Sequence, residues 1–384
     1  MYLIALKMLF GDRGKYIAMI VGVTFAALIM TQQPAILVGL LSRTYSFIGD
    51  VSEPDIWVMD AGIQFVEENK PLRDVELGRV RGIEGVAWAI PLFKNMVATK
   101  LPDGNTRFVD MTGLDDATFV GAPSRILEGK LTDLRLADAI LVSDEAAKTQ
   151  LRVKTPDGDT RPLLTGDVIE INDKRAVVVG KIKTTRNFVL QPQVYTTYSR
   201  AVFYSPSTRK HLSYILVKAK EGESIDVLSK RIEDATGLAA YSRAAFEQQN
   251  LQYWMKSTGI PINFGISVAL GFLVGAAIVG QTFFTFVNEN AKHYAALKSM
   301  GVRNSVLAKM VVLQALVVGM IGYGIGVGIT SLFGMKFHDS VLAFRMPPIL
   351  LVFAGLGVLA IVTISALFAI RKVIKIDPAV VFRG

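Results

Sequence analysis

The chain is 384 residues long and 51% hydrophobic, with a mean hydropathy of +0.40, yet 20% of its residues are charged. A wholly soluble domain and a bare helix bundle are both excluded, so strongly apolar and ordinary polar regions must alternate. The net charge of +9 sits on short flanks of apolar runs, which reads as membrane topology and argues against a nucleic-acid footprint, while the absence of cysteine removes disulfides, thiolate zinc sites and cysteine nucleophiles.

Four runs contain no Asp, Glu, Lys or Arg: residues 16–42, 257–288, 310–335 and 346–370. Each exceeds the roughly 20 residues needed to cross a bilayer, so four spanning helices are predicted. Residues 1–15 carry net +2, residues 289–309 net +3 and residues 371–384 net +3, which places all three in the cytoplasm. Residues 336–345 form a short outer loop, and the roughly neutral segment 43–256 lies on the far side. The first run is too long for a signal-peptide core and is read as a retained anchor.

In chain order, residues 1–10 suit an interfacial helix, broken by Gly11, Asp12, Arg13 and Gly14. The first span contains Thr31, Gln32, Gln33 and Pro34, which either kink it or mark its emergence as a stalk. Within 43–256 a mixed pattern is predicted. Strands fall at 55–59, 107–112, 138–143, 168–171, 176–182, 201–204 and 214–219, and helices at 75–83, 144–150 and 224–236. Hairpin turns fall at 102–105 and 172–174. Residues 241–257 read as a second stalk helix. Trp57, Trp88, Phe188 and Tyr195 read as core or interface. The architecture is four transmembrane helices with a large α+β extracytoplasmic domain inserted between the first and second.

Small residues four apart, Gly271 and Gly275 in the second span and Gly322, Gly324, Gly326 and Gly328 in the third, allow close helix approach. Packing within one subunit is favoured over a dimer seam. No phosphate-cradling loop of the G-x-x-x-x-G-K-[ST] type occurs, the histidines 211, 293 and 338 do not cluster, and no G-x-S-x-G is present. The spans hold no ionisable side chain of the kind ion-coupled transporters use at mid-depth. No catalytic, cofactor or metal site is expected in this chain.

The stretch 288–309 is the remaining candidate. Tyr294, Leu297 and Met300 fall three apart, as one stripe of a helix would place them, and Gly301 supplies a stop, with Asn304 or Ser305 as a new N-cap. On its residues alone it is equally an ordinary basic loop or a docking helix.

Residues 278–284 (IVGQTFF) followed by 294–301 (YAALKSMG) resemble permeases of the MacB/FtsX superfamily of ABC transporters, and look most like the DevC branch with its E-Y-A-T-L-K-A-M-G segment. The tail 376–383 (IDPAVVFR) is similar to that branch's D-P-A ending, and His293 stands where the family carries glutamate. The resemblance implies a homodimeric inner-membrane permease, both termini cytoplasmic, that binds two copies of a separate ABC ATPase carrying ATP and Mg. Residues 292–301 would be its coupling helix, with Glu289, Lys292, His293, Tyr294, Leu297, Lys298, Met300, Gly301 and Arg303 at the contact. Leu297→Asp would then abolish coupling without loss of insertion. A periplasmic adaptor (membrane fusion protein), an outer-membrane channel and a lipid, glycolipid or other amphiphile as cargo are also implied. The alternative is an FtsX-like regulator that activates a periplasmic cell-wall hydrolase.

Overall fold

The computed structural model describes all residues except 52, 69, 207–211, 338–341 and 376–384. His211, His338 and the 376–383 motif therefore lie outside the described residues. The chain divides into two units, Met1–Leu40 with Gly259–Gly384, and Leu41–Thr258.

The first unit opens with α1 (Tyr2–Gly11) and α2 (Arg13–Thr44). In the second unit, chain order runs α3 (Ser46–Asp50), β1 (Ile56–Met59), α4 (Asp74–Arg81), β2 (Val86–Lys100), β3 (Thr106–Leu114), β4 (Arg125–Glu128), β5 (Ala139–Ser143) and α5 (Asp144–Lys148). It continues with β6 (Val153–Lys154), β7 (Thr160–Arg161), β8 (Val168–Ile171), β9 (Lys174–Lys183), β10 (Gln193–Thr197), α6 (Tyr198–Tyr204) and β11 (Tyr214–Ala219), and ends with α7 (Ile225–Thr236), β12 (Ala239–Ser242) and α8 (Arg243–Ser257). The first unit resumes with α9 (Ile260–Glu289), α10 (Ala291–Ser299), α11 (Asn304–Lys336) and α12 (Pro348–Ile374).

Among the described residues, α2, α9, α11 and α12 are the helices long and apolar enough to cross a membrane. Pro34 sits inside an unbroken α2. The polar residue before it is satisfied: the Thr31 hydroxyl meets the Thr330 hydroxyl of α11 at 2.9 Å and donates to Ala27 O at 2.7 Å. Thr31 is thereby fully buried against α11, and α2 continues as one helix to Thr44. Arg303, not Asn304 or Ser305, is the N-cap of α11, and no side chain caps it.

The inserted domain is built on one mixed sheet in the order β12-β1-β11-β2-β3-β10-β5-β9-β4, with β8 joining β2 and β9. β2 pairs with β11 up to Leu92 and with β3 from Phe93, so one long strand serves two halves of the sheet. β10 runs parallel to β3, and β5 parallel to β9. The hairpins at 102–105 and 172–174 form, the second with positive φ at Asn172 and Asp173. Residues 201–204 are not a strand. They complete α6, whose Ala201 and Tyr204 share a buried stripe while the Tyr204 hydroxyl donates to Arg175 O at 3.0 Å. The helix read over 241–257 starts later, because Tyr241 pairs with Trp57 across β12 and β1; Ser242 then caps α8.

Trp57 is fully buried and meets Phe47, Tyr214 and Phe246 at edge or tilted angles. Beside it, Asn250 of α8 is completely buried. Its Nδ2 donates to Thr44 O at 2.8 Å and Thr44 Oγ1 at 2.9 Å, and its Oδ1 accepts from Val66 N at 2.9 Å. The end of α2 is thus tied to α8. Asn250→Ala strands a buried N–H and a buried C=O, at about 1–3 kcal/mol each. The full chain in detergent should then unfold roughly 10 °C lower, and a shift of a degree or two would show that water replaces those bonds.

Candidate docking segment and helix seams

The segment joining α9 to α11 folds as a closed knuckle. Asn290 ends α9 and starts α10, and α10 ends at Met300. Gly301 lies at φ +85°, Val302 N donates to Leu297 O at 3.1 Å and Gly301 N donates to Lys298 O at 3.0 Å. Those two bonds make a Schellman stop, which needs the left-handed φ that glycine supplies without strain.

Burial sorts the nine residues assigned to this segment. Tyr294 and Leu297 are buried with Ala295 against Val311 and other apolar residues of the membrane unit, so they cannot form an outward stripe. The Tyr294 hydroxyl donates to Gln314 Oε1 of α11 at 3.0 Å, and burial pushes it up to about 12, so it stays a protonated donor across physiological pH. Lys298 also turns inward, its Nζ donating to Ile374 O at the end of α12 at 2.9 Å. Glu289 is engaged by Lys15 of α2, whose ammonium also pairs with Asp12 at 2.7 Å. That ammonium holds the Asp12 carboxyl below the usual carboxylate range.

Lys292, His293, Met300, Gly301 and Arg303 are exposed, as is Glu289 despite its pairing with Lys15. Met300 is 71% exposed, an apolar side chain on a segment that also exposes Lys292, His293 and Arg303. Such a knob on a rigid turn is the form of a docking anchor.

Gln314 is the residue that sequence reading passes over. It is fully buried, accepts from Tyr294 and donates through Nε2 to Ala5 O of α1 at 2.8 Å. One amide therefore fastens α1 and α10 to the same point of α11. Its only sequence signal is an amide inside an otherwise apolar run.

The glycines divide by face. A Cβ on Gly271 would lie 2.4 Å from Ile29 Cγ2, and one on Gly275 would lie 2.4 Å from Ala26 Cβ. On α11, Gly322 faces Val23 at 2.6 Å and Gly326 faces Ala27 at 2.7 Å. These four seat α9 and α11 against α2. Gly324 and Gly328 have open space where a Cβ would stand and take no part in that packing.

Comparison with known proteins agrees with this architecture. Residues 17–235, more than half of the chain, match the MacB-like periplasmic core domain, and residues 265–378 match the FtsX-like permease C-terminal region. The chain belongs to the MacB/FtsX family of ABC transporter permeases, with a periplasmic domain between its first and second membrane helices. It is 22% identical over 325 residues to the ABC transporter permease Rv0072 of Mycobacterium tuberculosis, covering 82% of this chain and 80% of that one. It is 23% identical over 271 residues to a probable export ATP-binding/permease protein MacB of Pseudomonas entomophila. The chain spans about 40% of the length of the Pseudomonas relatives it matches. The periplasmic region of MacB from Actinobacillus actinomycetemcomitans covers 52% of this chain and 94% of its own, at 13% identity and TM-score 0.38.

Proposed function

We propose that this chain is the permease subunit of an ATP-driven exporter of the inner membrane, with both termini cytoplasmic. It works as a homodimer bound to two copies of a separate ABC ATPase, which holds ATP and Mg. Residues 292–303 are the coupling knuckle: Met300 enters an apolar groove of the ATPase, while Lys292, His293 and Arg303 face its acidic rim. Closure of the ATPase moves α10, and the Tyr294–Gln314–Ala5 chain carries that shift to α11 and α1. The unbroken α2, anchored at Thr44 by Asn250, delivers motion to the periplasmic domain. Cargo is a lipid, glycolipid or other amphiphile, passed to a periplasmic adaptor and an outer-membrane channel.

The observation that carries this reading is the exposure of Met300 on a rigid, basic turn. Export-type ATP-binding/permease proteins among the relatives support the direction of transport. Arg303 replaced by photo-reactive p-benzoylphenylalanine, in cells that express the chain from its own locus, should yield a light-dependent adduct with an ABC ATPase. An adduct with lipid alone would overturn the docking assignment.

A further inference from the structure

Inside the periplasmic domain, away from any residue discussed so far as a docking element, lies a cavity of about 120 Å³. Its floor is the sheet, through Lys94 of β2 and Asp110 of β3, and its walls are two loops that bring in Val66, Glu67, Asn187 and Val189. Both loops are fixed. The Tyr214 hydroxyl donates to Val66 O at 2.7 Å and Val66 N donates to Asn250, so the backbone beside Glu67 cannot drift. On the other side Gln191 N donates to Asn187 Oδ1 at 3.0 Å, and Asp110 N donates to Pro192 O at 2.8 Å.

The charges do not balance. Lys94 and Asp110, both almost fully buried, form an ion pair; Asn187 Nδ2 also donates to Asp110 at 3.3 Å, and the ammonium lies 4.6 Å from the centre of the Phe47 ring. Glu67 is the third charge, and its Oε2 is shielded from solvent with no hydrogen-bond partner. The neighbouring Glu68 is turned to Gln64 N and Lys70 and does not share the site. A buried acceptor beside a pre-shaped space, whose neighbouring Lys94 is committed to Asp110, lacks a hydrogen-bond donor.

We propose that this cavity is a binding site for an alkylammonium group, with Glu67 as the counter-charge, Asp110 and Asn187 as neighbouring polar partners, and Val66, Met96 and Val189 against the alkyl stem. Anions are disfavoured because Lys94 is already paired. Among the described residues there is no group of three His, Cys, Asp or Glu side chains to hold a metal ion. Met96 is 50% exposed and Val189 43% exposed, so the apolar side of the cavity is open to an entering ligand. The site stands on this cavity alone and is independent of the ATPase reading.

Titration gives the site a signature. Burial, opposed by Lys94 and reinforced by Asp110, pushes the Glu67 carboxyl up to about 7. The folded domain thus holds this proton more tightly than the unfolded chain. Below about pH 4.5 the group is protonated in both states and neutral to stability. Stability then falls as pH rises towards 7 and is flat above that. A bound ammonium reverses the preference, so it should bind the ionised form.

The test uses the full chain in detergent micelles and n-butylammonium, which is charged throughout the range, in a saturation-transfer NMR titration. Affinity should rise about tenfold from pH 6 to pH 8, following the ionised fraction of Glu67, with n-butanol failing to compete. Glu67→Gln should lose at least about tenfold of the pH 8 affinity and all of its pH dependence, while unfolding at pH 8 no lower than wild type. Val189→Trp, which narrows the opening and leaves Glu67 in place, should weaken binding with the pH dependence of stability retained. Absence of saturable binding, binding that ignores pH, equal competition by butanol, or unchanged binding in Glu67→Gln would each overturn the proposal.

Discussion

Gly326→Leu is expected to leave the chain without a folded membrane unit. A Cβ at this position would stand 2.7 Å from Ala27 Cβ, 2.8 Å from Thr24 O and 3.0 Å from Leu28 N. Two of those three atoms are backbone, so no rotamer change relieves the clash, and α2 and α11 must part. Parting them also breaks the Thr31–Thr330 contact and the bond from Thr24 Oγ1 to Gly322 O at 3.2 Å. Overpacking alone costs about 1–3 kcal/mol, and the loss of two interhelix hydrogen bonds inside a bilayer adds about 1 kcal/mol each. The measured result should be a chain that inserts but is cut by protease at positions the wild type protects. Gly328→Leu is the matched control, because nothing lies within 4 Å of its would-be Cβ. Equal protease sensitivity in both variants would show that the seam has been assigned to the wrong face.

The same glycines show how far a sequence carries. Spacing of four marks Gly322, Gly324, Gly326 and Gly328 as candidates for close approach, but two overlapping registers satisfy it, and only the position of α2 selects one. Four long charge-free runs were enough to place the spans, because a bilayer leaves little choice of structure over that length. Turn residues were enough for two hairpins, since Asn172, Asp173 and Gly104 adopt the positive φ their types favour. Residues 201–204 misled because a short apolar run has no period of its own; the buried stripe of α6 is defined by β3, far away in sequence. The Lys94, Asp110 and Glu67 cluster was illegible for a similar reason. Each residue is unremarkable in its own segment, and the sheet and a loop bring them together.

For the docking segment the difficulty was one of sign. Tyr294, Leu297 and Met300 do share a spacing of three, but spacing does not say which side of a helix faces inward. The unit needs apolar cover at the ends of α9 and α11, and Tyr294 and Leu297 supply it. Met300 escapes because it is the last residue before the Gly301 reversal. Four of the nine assigned positions were thus recruited by this chain's own packing: Leu297 by the apolar core, and Tyr294, Lys298 and Glu289 by Gln314, Ile374 and Lys15.

That division changes which substitution tests coupling. Leu297 is only 7% exposed, so Leu297→Asp removes buried apolar area worth about 1.5–3 kcal/mol and buries a charge without a partner. It should unfold the knuckle, and loss of transport in that variant would say nothing about an ATPase. Met300→Asp is the informative change. At 71% exposure it leaves the isolated chain's melting temperature within about a degree of wild type. In the complex a carboxylate would enter a groove that took a thioether, against a rim chosen to attract Lys292 and Arg303. An anchor of this kind is worth about 2 kcal/mol or more, so ATPase affinity should fall at least roughly thirtyfold. Arg303→Glu should cost less, about 1 kcal/mol, and that loss should shrink as salt is raised because the pair lies at the rim. Chain purified with Met300→Asp that still retains an ABC ATPase at wild-type stoichiometry and salt tolerance would remove Met300 from the interface and leave the charges to explain docking.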